Sequence, residues 1–296
     1  MKKSSVAKKS GWWLGVVIMI LSNSRCTDLL KPQTVHNPTA SVPISTSTVT
    51  LSQSEENTLQ PSPVSTIQPM EIVQKMLEQV NEERILKDIR QLTGIEPICV
   101  DKECYTVKNR YTGSKGLRWV KAYLYKELAS MGYSVEYQDW SLSGYVDQNL
   151  IARKVGVLHP NEEIYFVAHI DGVKKIWANR FPAADDNASG VVDLLEVARI
   201  LNSYSFDRTL VFFFSTGEEE GTLGVKSYLQ GVSQKELSAI KYVINIDMVG
   251  YDDDRDGVME LWYGDDPSSF VLTQKMNETI LAYQLDLSPE FVVGCG

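Results

Sequence analysis

The chain has few cysteines, too little positive charge to balance its acids, no visible internal repeat and no long apolar run. Its longest hydrophobic stretch, Gly11 to Leu21, has 11 residues, about half of the ~20 that a membrane-spanning helix needs. A net charge of −9 and a pI near 5.0 argue against nucleic acid as a partner, which calls for a basic surface. Four cysteines do not make a disulfide scaffold. Cys99 and Cys104 are close enough in sequence to pair in an exported protein; the other reading is two unpaired thiols. Their C-x4-C spacing without nearby histidines is a weak zinc signal, and Cys26 and Cys295 have no obvious mates.

What is present falls into three parts. Residues 1–25 read as a signal peptide or N-terminal membrane anchor, with Lys2, Lys3, Lys8 and Lys9 ahead of the apolar stretch. Export, or retention by an uncleaved signal, is expected ahead of lipid anchoring at Cys26, because Arg25 fits a lipoprotein cleavage site poorly. The chain is therefore expected outside the cytoplasm, secreted or tethered to the outer side of the cell membrane. Residues 26–69 are rich in Ser, Thr and Pro, bury too little to offset their ordering entropy, and read as a disordered tether that includes His36. Residues 70–296 suit one α/β domain.

Within that domain, apolar residues at helical spacing predict helices over 70–92, 116–131, 188–201 and 267–283, with a shorter one near 225–229. Strands are expected over 133–140, 148–157, 164–168, 209–214 (TLVFFF) and 242–246. Alternating strands and helices predict a mixed, mostly parallel central sheet with helices on both faces.

Three of those apolar strands run directly into ionisable groups. Ile164 to Ala168 delivers His169 and Asp171; Thr209 to Phe214 delivers Glu218 and Glu219; Tyr242 to Ile246 delivers Asp247. Asp185 sits in a loop just before a helix. Charges placed after buried strands are costly unless something pairs with them, and imidazole with carboxylates is a donor set suited to zinc. The C-terminal edge of an α/β sheet is also where such folds place their ligands. Each cluster alone could be an incidental surface turn; all of them at one edge point to a metal site.

Together AHID (168–171), PAADDNASG (182–190), GEEEG (217–221) and NIDMVG (245–250) resemble the zinc aminopeptidases of the M28 family, in the family's order and over roughly 89–296. The resemblance implies a zinc-exopeptidase fold that hydrolyses N-terminal residues from peptides through a metal-activated water. It implies two zinc ions, with Asp185 bridging them, His169 and Asp247 completing one and Glu219 binding the other. Glu218 would be the general base and Asp171 the residue that orients His169. Asp186, Asn187 and Glu220 would be turn, cap and surface residues, and the Asn187 glycosylation sequon irrelevant. Trp177 and Phe181 would line the cleft or pack its loop. The family's remaining zinc ligand, a histidine near the C-terminus, has no counterpart. His36 lies in the tether, and His159 precedes the key strand and should lie at its opposite end. The expectation is therefore a chain cut short at its C-terminus. A second reading is a non-catalytic or degenerate binding module of the same fold. A single-zinc glutaminyl cyclase and a magnesium-dependent phosphatase are weaker alternatives.

Overall fold

The computed structural model describes residues 19–21, 70–175, 177–252 and 255–294. The basic start of the chain, Cys26, the Ser/Thr/Pro-rich tether with His36, and Cys295 lie outside these residues. Of the apolar stretch only Met19–Leu21 is described, as a short strand, β1. Among the described residues no helix is long and apolar enough to cross a membrane.

The first predicted helix is two. α1 covers Glu71–Leu77 and α2 covers Glu82–Leu92. Asn81 interrupts them with an extended backbone and caps α2 by accepting a hydrogen bond from the Arg84 amide at 2.9 Å. β2 (Ile98–Val100) and β3 (Glu103–Tyr105) form a hairpin in which Cys99 stands opposite Cys104, and the two are disulfide-bonded. α3 (Lys115–Ser130) is capped by Ser114. β4 (Ser134–Leu142) and β5 (Tyr145–Lys154) are joined by Ser143 and Gly144, whose φ values of 54° and 82° make the tight turn that returns a strand antiparallel. Then follow β6 (His159–His169), α4 (Gly190–Leu201), β7 (Arg208–Ser215), α5 (Leu223–Gly231), α6 (Gln234–Ala239) and β8 (Ile240–Asn245). β9 (Val258–Tyr263), α7 (Pro267–Ala282) and β10 (Ser288–Val293) end the described chain, with β9 and β10 paired in parallel.

The central sheet runs β1-β8-β6-β7-β5-β4. It is mixed, as expected, but its parallel part is confined to β8-β6-β7; the pairings β7–β5, β5–β4 and β1–β8 are antiparallel. The short β4–β5 turn is one physical reason, since a parallel pairing needs a long crossover. β7 shows why the centre is buried on both faces. Leu210, Phe212 and Phe214 join the core under α2, α3 and α4, whereas Val211 and Phe213 pack with Val225 and Tyr228 of α5 on the other side. Helices therefore cover both faces, and β7 reads as an unbroken apolar run rather than an alternating one.

Candidate metal centre

The register of the three parallel strands decides what meets at their ends. His169 pairs with Ser215, and Val167 pairs with Asn245. The ladder continues one step further, through Ile170 N to Ser215 O and Ile246 N to Val167 O, both 2.8 Å. Asp171, the turn at Glu218 and Asp247 thus leave the sheet side by side at its C-terminal edge. The expected convergence is what the geometry contains.

His169, buried at 3% exposure, is the centre. Its Nε2 lies 3.1 Å from Asp186 Oδ1 and 3.5 Å from Asp247 Oδ1. One ligand atom from each of these three residues lies within 4.8 Å of the others, close enough to share one ion. Asp171 is fully buried behind them. Its Oδ1 is 3.7 Å from His169 Nδ1, and its two oxygens accept hydrogen bonds from the Glu218 and Glu219 amides at 3.3 and 3.2 Å. A single carboxylate therefore stands behind the imidazole and also fixes the glutamate turn.

The structure brings Asp186, and not Asp185, to His169. Asp185 Oδ1 accepts from the Gly250 amide at 2.8 Å and the Ser189 hydroxyl at 3.1 Å, tying its turn to the one after Asp247. Asp186 has an extended backbone, φ −98° and ψ 93°, and in such a stretch neighbouring side chains leave on opposite sides. Asn187 acts as the expected cap. Its amide group donates to Ile246 O at 2.9 Å and its oxygen accepts from the Gly190 and Met248 amides. Fully buried, it does not present its sequon to solvent. Glu220 is bound rather than free: Thr112 donates to it at 2.5 Å. His159 begins β6, at the far end from the centre, as expected. Trp177 is 83% exposed, and the Phe181 amide donates to Lys108 O.

The electrostatics describe a carboxylate-rich pocket in need of a cation. Burial alone would push the His169 imidazole down, but the carboxylates of Asp171, Asp186 and Asp247 around it reverse this and push it up to about 12. Burial pushes the Glu219 carboxyl up to about 7, helped by the negative charge of Asp186. Glu218 is raised for the same first reason, desolvation. Asp247 Oδ1 and Glu219 Oε1 are buried acceptors that take no hydrogen bond. Orphaned buried acceptors are costly, and a cation beside them removes that cost. One imidazole with three carboxylates is also the donor chemistry zinc accepts. The residues fit a zinc ion.

One participant had no signal in the sequence. Arg110 is buried at 1% exposure and reaches into the loops behind the centre. Desolvation pushes its guanidinium down to about 10, against the pull of Asp171, Asp186 and Glu219, so it remains charged at neutral pH.

Comparison with known proteins adds a family match and a shared fold. Residues 149–291 match the model of peptidase family M28. The aminopeptidase YwaD of Bacillus subtilis is 36% identical over 112 residues, covering 37% of this chain and 23% of that protein. Among solved structures, LapB of Legionella pneumophila superposes with a TM-score of 0.58 at 22% identity, over 76% of this chain and 58% of that one. The zinc aminopeptidase BSAP of Bacillus subtilis superposes with a TM-score of 0.54 at 14% identity, over 71% of this chain and 84% of that one. The match thus takes in under a quarter of the curated aminopeptidase's length, while the solved structures share the sheet and its flanking helices. Residues 149–291 of this chain are thus similar to peptidase family M28, and the fold is shared with solved aminopeptidases.

Proposed function

We propose that the chain is a zinc-dependent aminopeptidase acting on peptides outside the cytoplasm. The observation that carries this reading is the meeting of His169, Asp186, Asp247, Glu218 and Glu219 at one sheet edge, with orphaned carboxylate oxygens pointing to a cation. His169, Asp186, Asp247 and Glu219 are the residues that would hold zinc. Asp186 would stand in the place that the resemblance assigned to Asp185, and Glu219 would be the residue available to a second ion. When bound, zinc supplies Lewis acidity to the scissile carbonyl and to water.

The remaining chemistry belongs to the chain's own side chains. Glu218 neighbours the ligand Glu219 on a turn that Asp171 fixes through both amides. Its carboxyl, raised by desolvation, is suited to accept a proton from the attacking water and return it to the leaving amine. Asp171 stands on the Nδ1 side of His169, opposite the Nε2 that faces Asp186 and Asp247, where a metal-binding imidazole would need its orienting partner. The names of the related aminopeptidases support N-terminal residues as the substrate class, and the N-terminal sequence supports export.

The test is Glu218→Gln in the full chain, assayed on aminoacyl amides and short peptides. Turnover should fall by roughly 10²- to 10⁴-fold while zinc content is unchanged. Turnover equal to wild type would remove Glu218 from the mechanism.

A further inference from the structure

Arg110 has an unusual set of partners. A buried arginine is normally paired with an acid, yet its hydrogen bonds go to four main-chain carbonyls. Nε donates to Ile170 O at 3.0 Å, Nη1 to Leu92 O at 3.0 Å and to Pro182 O at 2.7 Å, and Nη2 to Ala183 O at 2.8 Å. Its own carbonyl accepts from the Gly172 amide at 3.3 Å. These acceptors come from three segments distant in sequence. Ile170 stands between His169 and Asp171. Pro182 and Ala183 lead into Asp185 and Asp186, and Ala183 is a non-glycine residue with a left-handed φ of 48°, a conformation that surrounding contacts must hold. Leu92 ends α2. Two stretches of chain that carry metal-binding side chains are therefore joined through one planar group.

We propose that Arg110 is a positioning residue for the metal centre: its guanidinium fixes the end of β6 and the 182–189 turn at the spacing that brings His169 and Asp186 together. The inference rests on reading that centre as a zinc site. Lysine keeps the charge but, as a compact ammonium with three donors, cannot span four carbonyls in a planar fork. Leu124, fully buried in the core on α3, supplies a control at which a lost side chain lowers stability and none of the hydrogen bonds of Arg110 is removed.

The experiment titrates zinc into the metal-free full chain against a chromophoric chelator, for wild type, Arg110→Lys and Leu124→Ala. Visible absorption of each cobalt(II)-loaded protein reports the ligand geometry. Zinc affinity should fall about 10- to 100-fold in Arg110→Lys, the range typical of residues that orient metal ligands, with an altered cobalt spectrum. Leu124→Ala should stay within about twofold of wild type on the same principle, with an unaltered spectrum. A wild type that takes up no zinc overturns the metal-centre reading and this inference together. A wild type that binds zinc, with Arg110→Lys matching it in affinity and spectrum, overturns this inference alone. If Arg110→Lys does not fold, the wild type decides through its nuclear magnetic resonance spectrum. A slowly exchanging arginine Nε–H signal that shifts on adding zinc supports the proposal; one that does not move overturns it.

Discussion

Asp185 and Asp186 are adjacent and chemically identical, yet one carboxylate serves the backbone while the other faces His169. Sequence order does not record on which side of the chain a carboxylate leaves, so the acidic pair was legible as a site while its working member was not. The same limit hid Arg110, whose partners are carbonyls from three remote segments. The separation of the two aspartates has a measurable consequence. Asparagine at 185 can still accept from the Gly250 amide, so Asp185→Asn should leave zinc affinity within a few-fold of wild type. Asp186→Asn removes a charge that faces the imidazole and should weaken zinc binding by about tenfold or more, comparable to losing a residue that orients the metal ligands. Chelator competition on the two purified variants measures both, and equal losses would mean that the assignment of roles is wrong.

The elements behind the site approach one another closely, and α4 shows it best. A Cβ on Gly190 would stand 2.4 Å from Asn187 Oδ1 and 2.5 Å from Ile246 O, so the helix start can lie against the end of β8 only as glycine. Gly190→Ala should cost about 1–3 kcal/mol, typical of forced overpacking, read by urea denaturation. Further along α4, burial pushes the Asp193 carboxyl up to about 8, with the charge of Glu196 adding to it. The folded state then holds a proton that the unfolded state has released at ~3.9. Asp193's contribution to stability is full below that pH and is lost as pH rises towards 8, with a slope of up to ~1.4 kcal/mol per pH unit. Asp193→Asn cannot titrate, so its stability relative to wild type should rise steadily between pH 5 and 8 in denaturant titrations. A difference that does not change with pH would refute the protonated state of Asp193.

At the scale of the whole molecule, β7 at the centre of the site was the most legible strand because it is buried on both faces and reads as a continuous apolar run. TLVFFF became the middle of β7 within one residue at each end. The elements that were missed are short or exposed. β2 and β3 have three residues each and α6 has six, and β9 and β10 form a separate two-stranded pair rather than part of the main sheet. Their pattern is set by what they pack against rather than by a strong period. The joint of α1 and α2 was missed because Asn81 sits inside an otherwise helical periodicity. The site itself follows from topology: β8, β6 and β7 run parallel, so their C-terminal ends, and the charges placed after them, must meet. That meeting is the central claim, and zinc K-edge X-ray absorption of the zinc-loaded full chain tests it most directly. The account predicts a first shell of nitrogen and oxygen at ~2.0–2.2 Å with the outer-shell signature of imidazole and no sulfur. A sulfur shell at ~2.3 Å, or a spectrum without imidazole, would contradict it.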